Sequence, residues 1–150
     1  MNDLRDLYQE VIFDHNRSPR NYGKLENGNC QADGFNPLCG DEFHLSMLLD
    51  DDSIIQDIRF EGHGCAISTA SASIMTELLV GKTIDEVRHL FAAFHDMVTS
   101  SNESKSIEDL GKASVLQGVR EFPARVKCAT LAWHTVMAAI NRDNNPATTE

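Results

Sequence analysis

Basic residues are scarce: 13 lysines and arginines face 23 aspartates and glutamates, a formal net charge of −10. Such a chain repels the nucleic-acid backbone and anionic lipid surfaces, so neither nucleic acid nor membrane is an expected partner. Long apolar runs are lacking, and the opening MNDLRDLYQE does not have the charged-then-apolar order of a secretory signal. The expected compartment is therefore the cytoplasm. There Cys30, Cys39, Cys65 and Cys128 stay reduced, which favours metal binding or thiol chemistry over disulfides. Paired C-x-x-C motifs, H-x-x-x-H spacing, internal repeats and low-complexity tracts are all absent. What is present, 41% hydrophobic residues in 150, suffices for one core, and residues 1–150 read as a single domain.

Leu4, Leu7, Tyr8, Val11 and Ile12 recur at helical spacing, so the first dozen residues are predicted to form an amphipathic helix that Pro19 and Gly23 terminate. Phe43, Leu45, Met47 and Leu49 alternate with Glu42, His44, Ser46 and Leu48, the pattern of a strand with one buried face. A second strand, about Ile54 to Phe60, follows the turn formers DDDS, and a weaker one over Cys30 to Phe35 completes a three-stranded sheet. After EGHGC the period changes. Ile67, Ala70, Ile74 and Leu78 mark a helix stopped by Gly81; Thr83 and Glu86 have capping-box spacing ahead of Val87, Leu90, Phe91 and Phe94. Thr99 to Lys105 reads as a loop, Ser106 to Val119 as a short helix weakened by Gly111, and Pro123 opens a last helix through Ile140. The tail NRDNNPATTE is expected to fray. Strands grouped early and helices grouped late indicate an α+β domain: a small three-stranded antiparallel sheet packed against helices.

Three cysteines fall at informative places. Cys39 precedes a strand, Cys65 opens a helix, and Cys128 lies early in the last helix. If helices and hairpin pack together, all three converge at one end of the sheet, where zinc is the natural ion for thiolates. Asp41 is the candidate fourth ligand, since residues i and i+2 of an extended segment share a face and Gly40 lets the backbone bend between them. The spacing leaves blander readings open: buried cysteines also fill cores, and an aspartate also serves a strand end. Cys65 at a helix start is placed to be a thiolate. Arg125 and Lys127 flank Cys128; a solvated face is their default, but Arg125 is also placed to lower thiol pKa values or hold an anionic sulfur species. Cys30 has no partner pattern and reads as structural. The six histidines read as surface or core, with His63 notable for its nearness to Cys65.

The stretches DHNRSPRNYG, NPLCGD, EGHGCAISTASASIM and FPARVKCATLAW together resemble the IscU/NifU-like family of iron-sulfur cluster assembly proteins, over almost the whole chain. Two departures from the scaffold-type pattern make the chain most similar to the SufU branch. The stretch between Cys65 and Cys128 is longer, and Lys127 stands where scaffolds carry a histidine. The resemblance implies an IscU/NifU-like fold and zinc held by Cys39, Asp41, Cys65 and Cys128. It further implies a SufS-type cysteine desulfurase as sulfur donor, downstream cluster-assembly proteins as recipients, and support of the activity by Arg125. On this reading the protein is a zinc-dependent sulfurtransferase, with Cys39 in its glycine- and proline-flanked loop as the sulfur acceptor. The competing expectations are a scaffold that assembles an iron-sulfur cluster at the same cysteines, and an inert structural zinc domain.

Overall fold

The computed structural model describes residues 4–99, 107–141 and 147–148. Helix α1 spans Leu4–Arg17, a few residues beyond the expected first dozen, and is followed by strands β1 (Cys30–Asn36), β2 (Asp41–Leu49) and β3 (Ile55–His63). Helices α2 (Ala66–Leu79) and α3 (Ile84–Thr99), a 3-10 segment (Ile107–Val119), helix α4 (Pro123–Ile140) and a two-residue strand β4 (Ala147–Thr148) complete the order.

The sheet runs β3-β2-β1-β4. Its first three strands are antiparallel, as expected, with Phe43 opposite Gly34 on one side and Gly62 on the other. The alternation of β2 decides which face is covered: Phe43, Leu45 and Met47 are buried, whereas Glu42 is exposed and His44 half-exposed. Each large apolar side chain fully buried in this way is worth about 1.5–3 kcal/mol. Helix α4 lies across β1 and β2, and α2 against β3 and α4. Close approach of α4 demands a glycine on β1, because a Cβ at Gly34 would strike the Thr135 side chain. On α2 the run of buried Ala70, Ser71, Ala72 and Ser73 lets α4 sit near, and the Ser71 hydroxyl donates to the Ala129 carbonyl at 2.6 Å. Trp133 of α4 stacks on Phe94 of α3 at 4.3 Å between ring centroids.

Several local predictions hold. The Thr83–Glu86 capping box is closed in both directions, Thr83 N–H to Glu86 Oε1 at 2.9 Å and Glu86 N–H to Thr83 Oγ1 at 3.1 Å. In the β2–β3 turn Asp50 Oδ1 accepts the N–H groups of Asp52 and Ile54, each at 2.9 Å. Gly81, at φ 86°, ends α2.

Others need correction. The sheet gains β4, which pairs parallel with Gly34 and Phe35 of β1, so part of the tail expected to fray is ordered by strand pairing; residues 142–146 and 149–150 lie outside the described ones, as do residues 100–105 of the expected loop and Ser106 of the expected cap. The stretch before Val119 is not an α-helix but 3-10 turns interrupted at Gly111 (φ 53°, ψ −129°), a conformation that breaks the i to i−4 ladder. On α1, Leu7 is 42% exposed, and the buried stripe runs through Ile12 and His15 instead. His15 is buried because its Nδ1 meets Ser73 Oγ at 2.7 Å, and burial pushes its pKa down.

Candidate metal centre

The register of β1 and β2 ends with Asn36 opposite Asp41, leaving residues 37–40 as a tight connection. Gly40 N–H donates to the Asn36 carbonyl at 2.9 Å and closes it, which requires the positive φ of 74° that glycine supplies. Cys39 is thereby held out in solvent, while Asp41 turns inward as the first residue of β2 and is fully buried. At the same end of the sheet β3 passes through Gly64 into Cys65, the N-cap of α2. Cys128 arrives from the second turn of α4, 3% exposed. Gly64 makes room for Asp41: a Cβ there would lie 2.9 Å from Asp41 Oδ1 and 3.0 Å from Phe43 Cζ.

The ligand atoms of Cys39, Asp41 and Cys128 all lie within 4.8 Å of one another, and the two sulfurs are 3.4 Å apart. Cys65 belongs to the same end but not to that trio. Its sulfur caps α2, accepting the Ser68 N–H at 3.4 Å, while its own N–H donates to Asp41 Oδ1 at 2.8 Å. The Cys65 thiol is lowered to about 6, first by hydrogen bonding with Cys128 and further by the Ser68 hydroxyl and N–H, against the opposing cost of burial. Cys128 is pushed the other way, upward, by Cys65, by burial and by Cys39. Among the described residues no lysine or arginine pairs with Asp41. A buried carboxylate among thiols, without a cationic side chain, is expensive for a protein unless a cation joins it, and two sulfurs and an oxygen at this spacing suit a tetrahedral thiophilic ion such as zinc.

Residues 7–142 match the model of the NifU-like N-terminal domain. The chain belongs to this family. Within it, the chain is 45% identical over 141 residues to the zinc-dependent sulfurtransferase SufU of Bacillus subtilis, covering 94% of each. It is 41% identical over 145 residues to the iron-sulfur cluster assembly scaffold protein IscU of Streptococcus pyogenes, covering 97% of this chain and 89% of that one. A crystal structure from Fervidobacterium islandicum AW-1, described as a candidate iron-sulfur cluster assembly scaffold protein for the SUF system, superposes with a TM-score of 0.82 at 38% identity over 89% of this chain and 96% of that one. The resemblance to the SufU branch and the IscU/NifU-like fold are both borne out.

In this NifU-like domain the other expected residues are placed as follows. Arg125 is exposed, one helical turn before Cys128, with its guanidinium 4.4 Å from the centre of the Phe122 ring. It lines a groove of about 430 Å³ with Tyr8, Ile12, Phe13 and Ile67, and among the described residues it makes no hydrogen bond to a cysteine. Its charge acts on Tyr8, whose pKa burial nevertheless raises. His63 is not gathered into the site: its side chain is 75% exposed and lies 3.6 Å from Glu42. Cys30 is buried, and its thiol donates to the Ala139 carbonyl at 3.1 Å, in keeping with a structural part. None of the four cysteines forms a disulfide.

Two residues at the centre have no counterpart among the sequence-based candidates. Asn36 is fully buried and donates from Nδ2 to Asp41 Oδ2 at 3.0 Å and to Cys128 Sγ at 3.7 Å. Ser68 sets the direction of the Cys65 sulfur. An asparagine before proline reads as a turn former, and a serine in a run of small residues reads as packing, so neither residue type points to a ligand shell.

Proposed function

We propose that the chain is a zinc-dependent sulfur acceptor of iron-sulfur cluster assembly, charged by a SufS-type cysteine desulfurase and discharged to downstream assembly proteins. One observation carries this reading: a trio of donors, two from the start of β2 and one from α4, in which Cys39 alone is exposed while Asp41 and Cys128 are buried. Zinc at Cys39, Asp41, Cys65 and Cys128 would supply deprotonated thiols at neutral pH.

The residues themselves divide the work. Asp41 and Cys128 are fixed by a strand and a helix and keep their positions. Cys39 projects from the β1–β2 loop, beside Leu38, which is 61% exposed, and meets the partner. The Cys39 thiolate attacks the terminal sulfur of the desulfurase persulfide; a new S–S bond forms at Cys39, the donor S–S bond breaks, and the desulfurase cysteine leaves as a thiolate. No net oxidant is consumed. Arg125, at the rim of the site with its charge in solvent, holds the anionic persulfide as it approaches. Exposed Phe13 and Phe122 near Arg125 offer apolar area for a protein partner, and the 45% identity to a SufU sulfurtransferase supports that partner class. The reading takes 1–150 as one domain working among the reduced thiols of the cytoplasm.

The 41% identity to an IscU scaffold supports a second reading, in which a cluster is assembled at these cysteines. Protein, desulfurase and cysteine are incubated, thiols are trapped by alkylation, and the added sulfur is located by peptide mass. Added sulfur on Cys39 is the expected result. No sulfur on any cysteine, together with a cluster formed when iron is supplied, decides for the scaffold.

A further inference from the structure

We infer that Asn36 is the positioning residue of the metal centre, holding Asp41 and Cys128 in the orientation from which both bind the ion. The inference rests on the metal reading of the site proposed above. Asn36 closes β1 and is the register partner of Asp41, so its side chain starts from a fixed backbone position. Its amide orientation is compelled. Nδ2 lies 3.0 Å from Asp41 Oδ2, and turning the amide over would set a carbonyl oxygen against a carboxylate. The same nitrogen reaches Cys128 Sγ at 3.7 Å, so the two amide hydrogens address two neighbouring ligands, each anionic when it binds metal.

Asp41 is consequently clamped at both oxygens, Oδ1 by Cys65 N–H at 2.8 Å and Oδ2 by Asn36. Each oxygen keeps a lone pair for a cation. Removing the Asn36 amide leaves the carboxylate pivoting on one hydrogen bond. The far side of Asn36 shows what the residue is not for: Oδ1 is buried with no hydrogen-bond partner among the described residues, an arrangement that weakens folding and that an apolar side chain of the same size would avoid. An asparagine is therefore useful here for its donors alone, and those point at the metal ligands.

The test uses the full zinc-loaded chain with Asn36→Leu, which keeps the branched outline and heavy-atom count, deletes both donors and relieves the unpaired Oδ1. Competition against a chromogenic chelator should show zinc affinity lowered about 10- to 100-fold, while the metal-free melting temperature does not fall. In the cobalt-substituted protein the visible bands should shift as the Asp41 oxygen is displaced from its place. In an Asp41→Ala background, most of the loss from Asn36→Leu should vanish, because the carboxylate it positions is gone. A merely structural asparagine predicts the opposite, with losses that multiply in the double variant and an unchanged cobalt spectrum. That outcome, or wild-type affinity in Asn36→Leu, overturns the assignment. If Asn36→Leu does not fold, Asn36→Ala carries the same three measurements. A wild-type chain that retains no zinc sinks the metal reading and this assignment with it, whereas wild-type zinc binding matched by the variant sinks the assignment alone.

Discussion

The two ends of the sheet are built by the same hairpin and differ in how their polar groups are satisfied. At the β2–β3 turn Asp50 accepts two backbone N–H groups and the Gln56 amide, and Gly81 and Lys82 tie the end of α2 to Ile55. There the Asp50 carboxylate is answered from within the turn, and the end of α2 by backbone hydrogen bonds to Ile55. At the other end Asp41 is buried among thiols, two sulfurs sit 3.4 Å apart, and Asn36 Oδ1 has no hydrogen-bond partner among the described residues. The difference teaches where each end finds its partners: the turn end closes on backbone groups, whereas the cysteine end buries a carboxylate among thiols with no lysine or arginine paired to it among the described residues, an arrangement that a bound cation would balance.

The sharpest way to break the comparison is Cys39→Ser. If exposure singles out the reacting sulfur, this change abolishes persulfide acceptance and stimulation of the desulfurase while leaving the fold intact, as read by activity and circular dichroism. Persistent acceptance would move the reactive thiol to Cys65 or Cys128.

Metal removal comes next. Because the proposed ligands join three segments, chelation should lower the melting temperature by roughly 10 °C, the order expected when an ion bound at about a thousand times its Kd is withdrawn from a domain of this size. Asp41→Ala should weaken zinc retention by more than the roughly 10- to 100-fold typical of groups outside the ligand set. Elemental analysis after dialysis against chelator is the check, and full retention in the variant would remove Asp41 from the site.

The closed end should behave differently. Thr83→Ala removes a cap and is expected to cost about 1 kcal/mol in denaturant unfolding with no change in zinc content. The same box has a pH signature. Thr83 N–H holds the Glu86 carboxyl below its ordinary range, so its contribution is present above the ordinary glutamate value of 4.5 and is lost as pH falls through the depressed value. Acid unfolding of a Glu86→Gln variant should show a shallower loss of stability in that window than the parent.

Cys30→Ser should have the smallest effect on function. Its thiol bonds the Ala139 carbonyl inside the core, so zinc content and sulfur acceptance should match the parent, with only a modest change in melting temperature. A loss of zinc in this variant would show that the core and the cysteine end are coupled.

Much of this molecule was legible in advance because local chemistry repeats with local geometry. The alternation of Phe43, Leu45 and Met47, the Thr83–Glu86 spacing and the glycine at position 81 each act within a few residues, and each is found as read. The convergence of Cys39 and Asp41 with Cys128 was legible because the start of β2 and the start of α4 come to one edge. Gly111 was recognised as a weak point, but that it would turn the stretch into 3-10 rather than α was not, since helical periods over so few residues differ too little to separate.

The sequence by itself determined the α+β order, the buried face of β2 and the residues Cys39, Asp41 and Cys128 that meet at the sheet end, since side-chain periodicity records which face leaves water. Only the tertiary structure decided that the Cys65 sulfur turns to Ser68 and that residues 147–148 pair with β1. It also decided that Asn36 reaches Cys128, 92 positions away, because such contacts depend on how closely α4 seats on β1, a distance set by packing at Gly34 and Thr135 rather than by any local pattern.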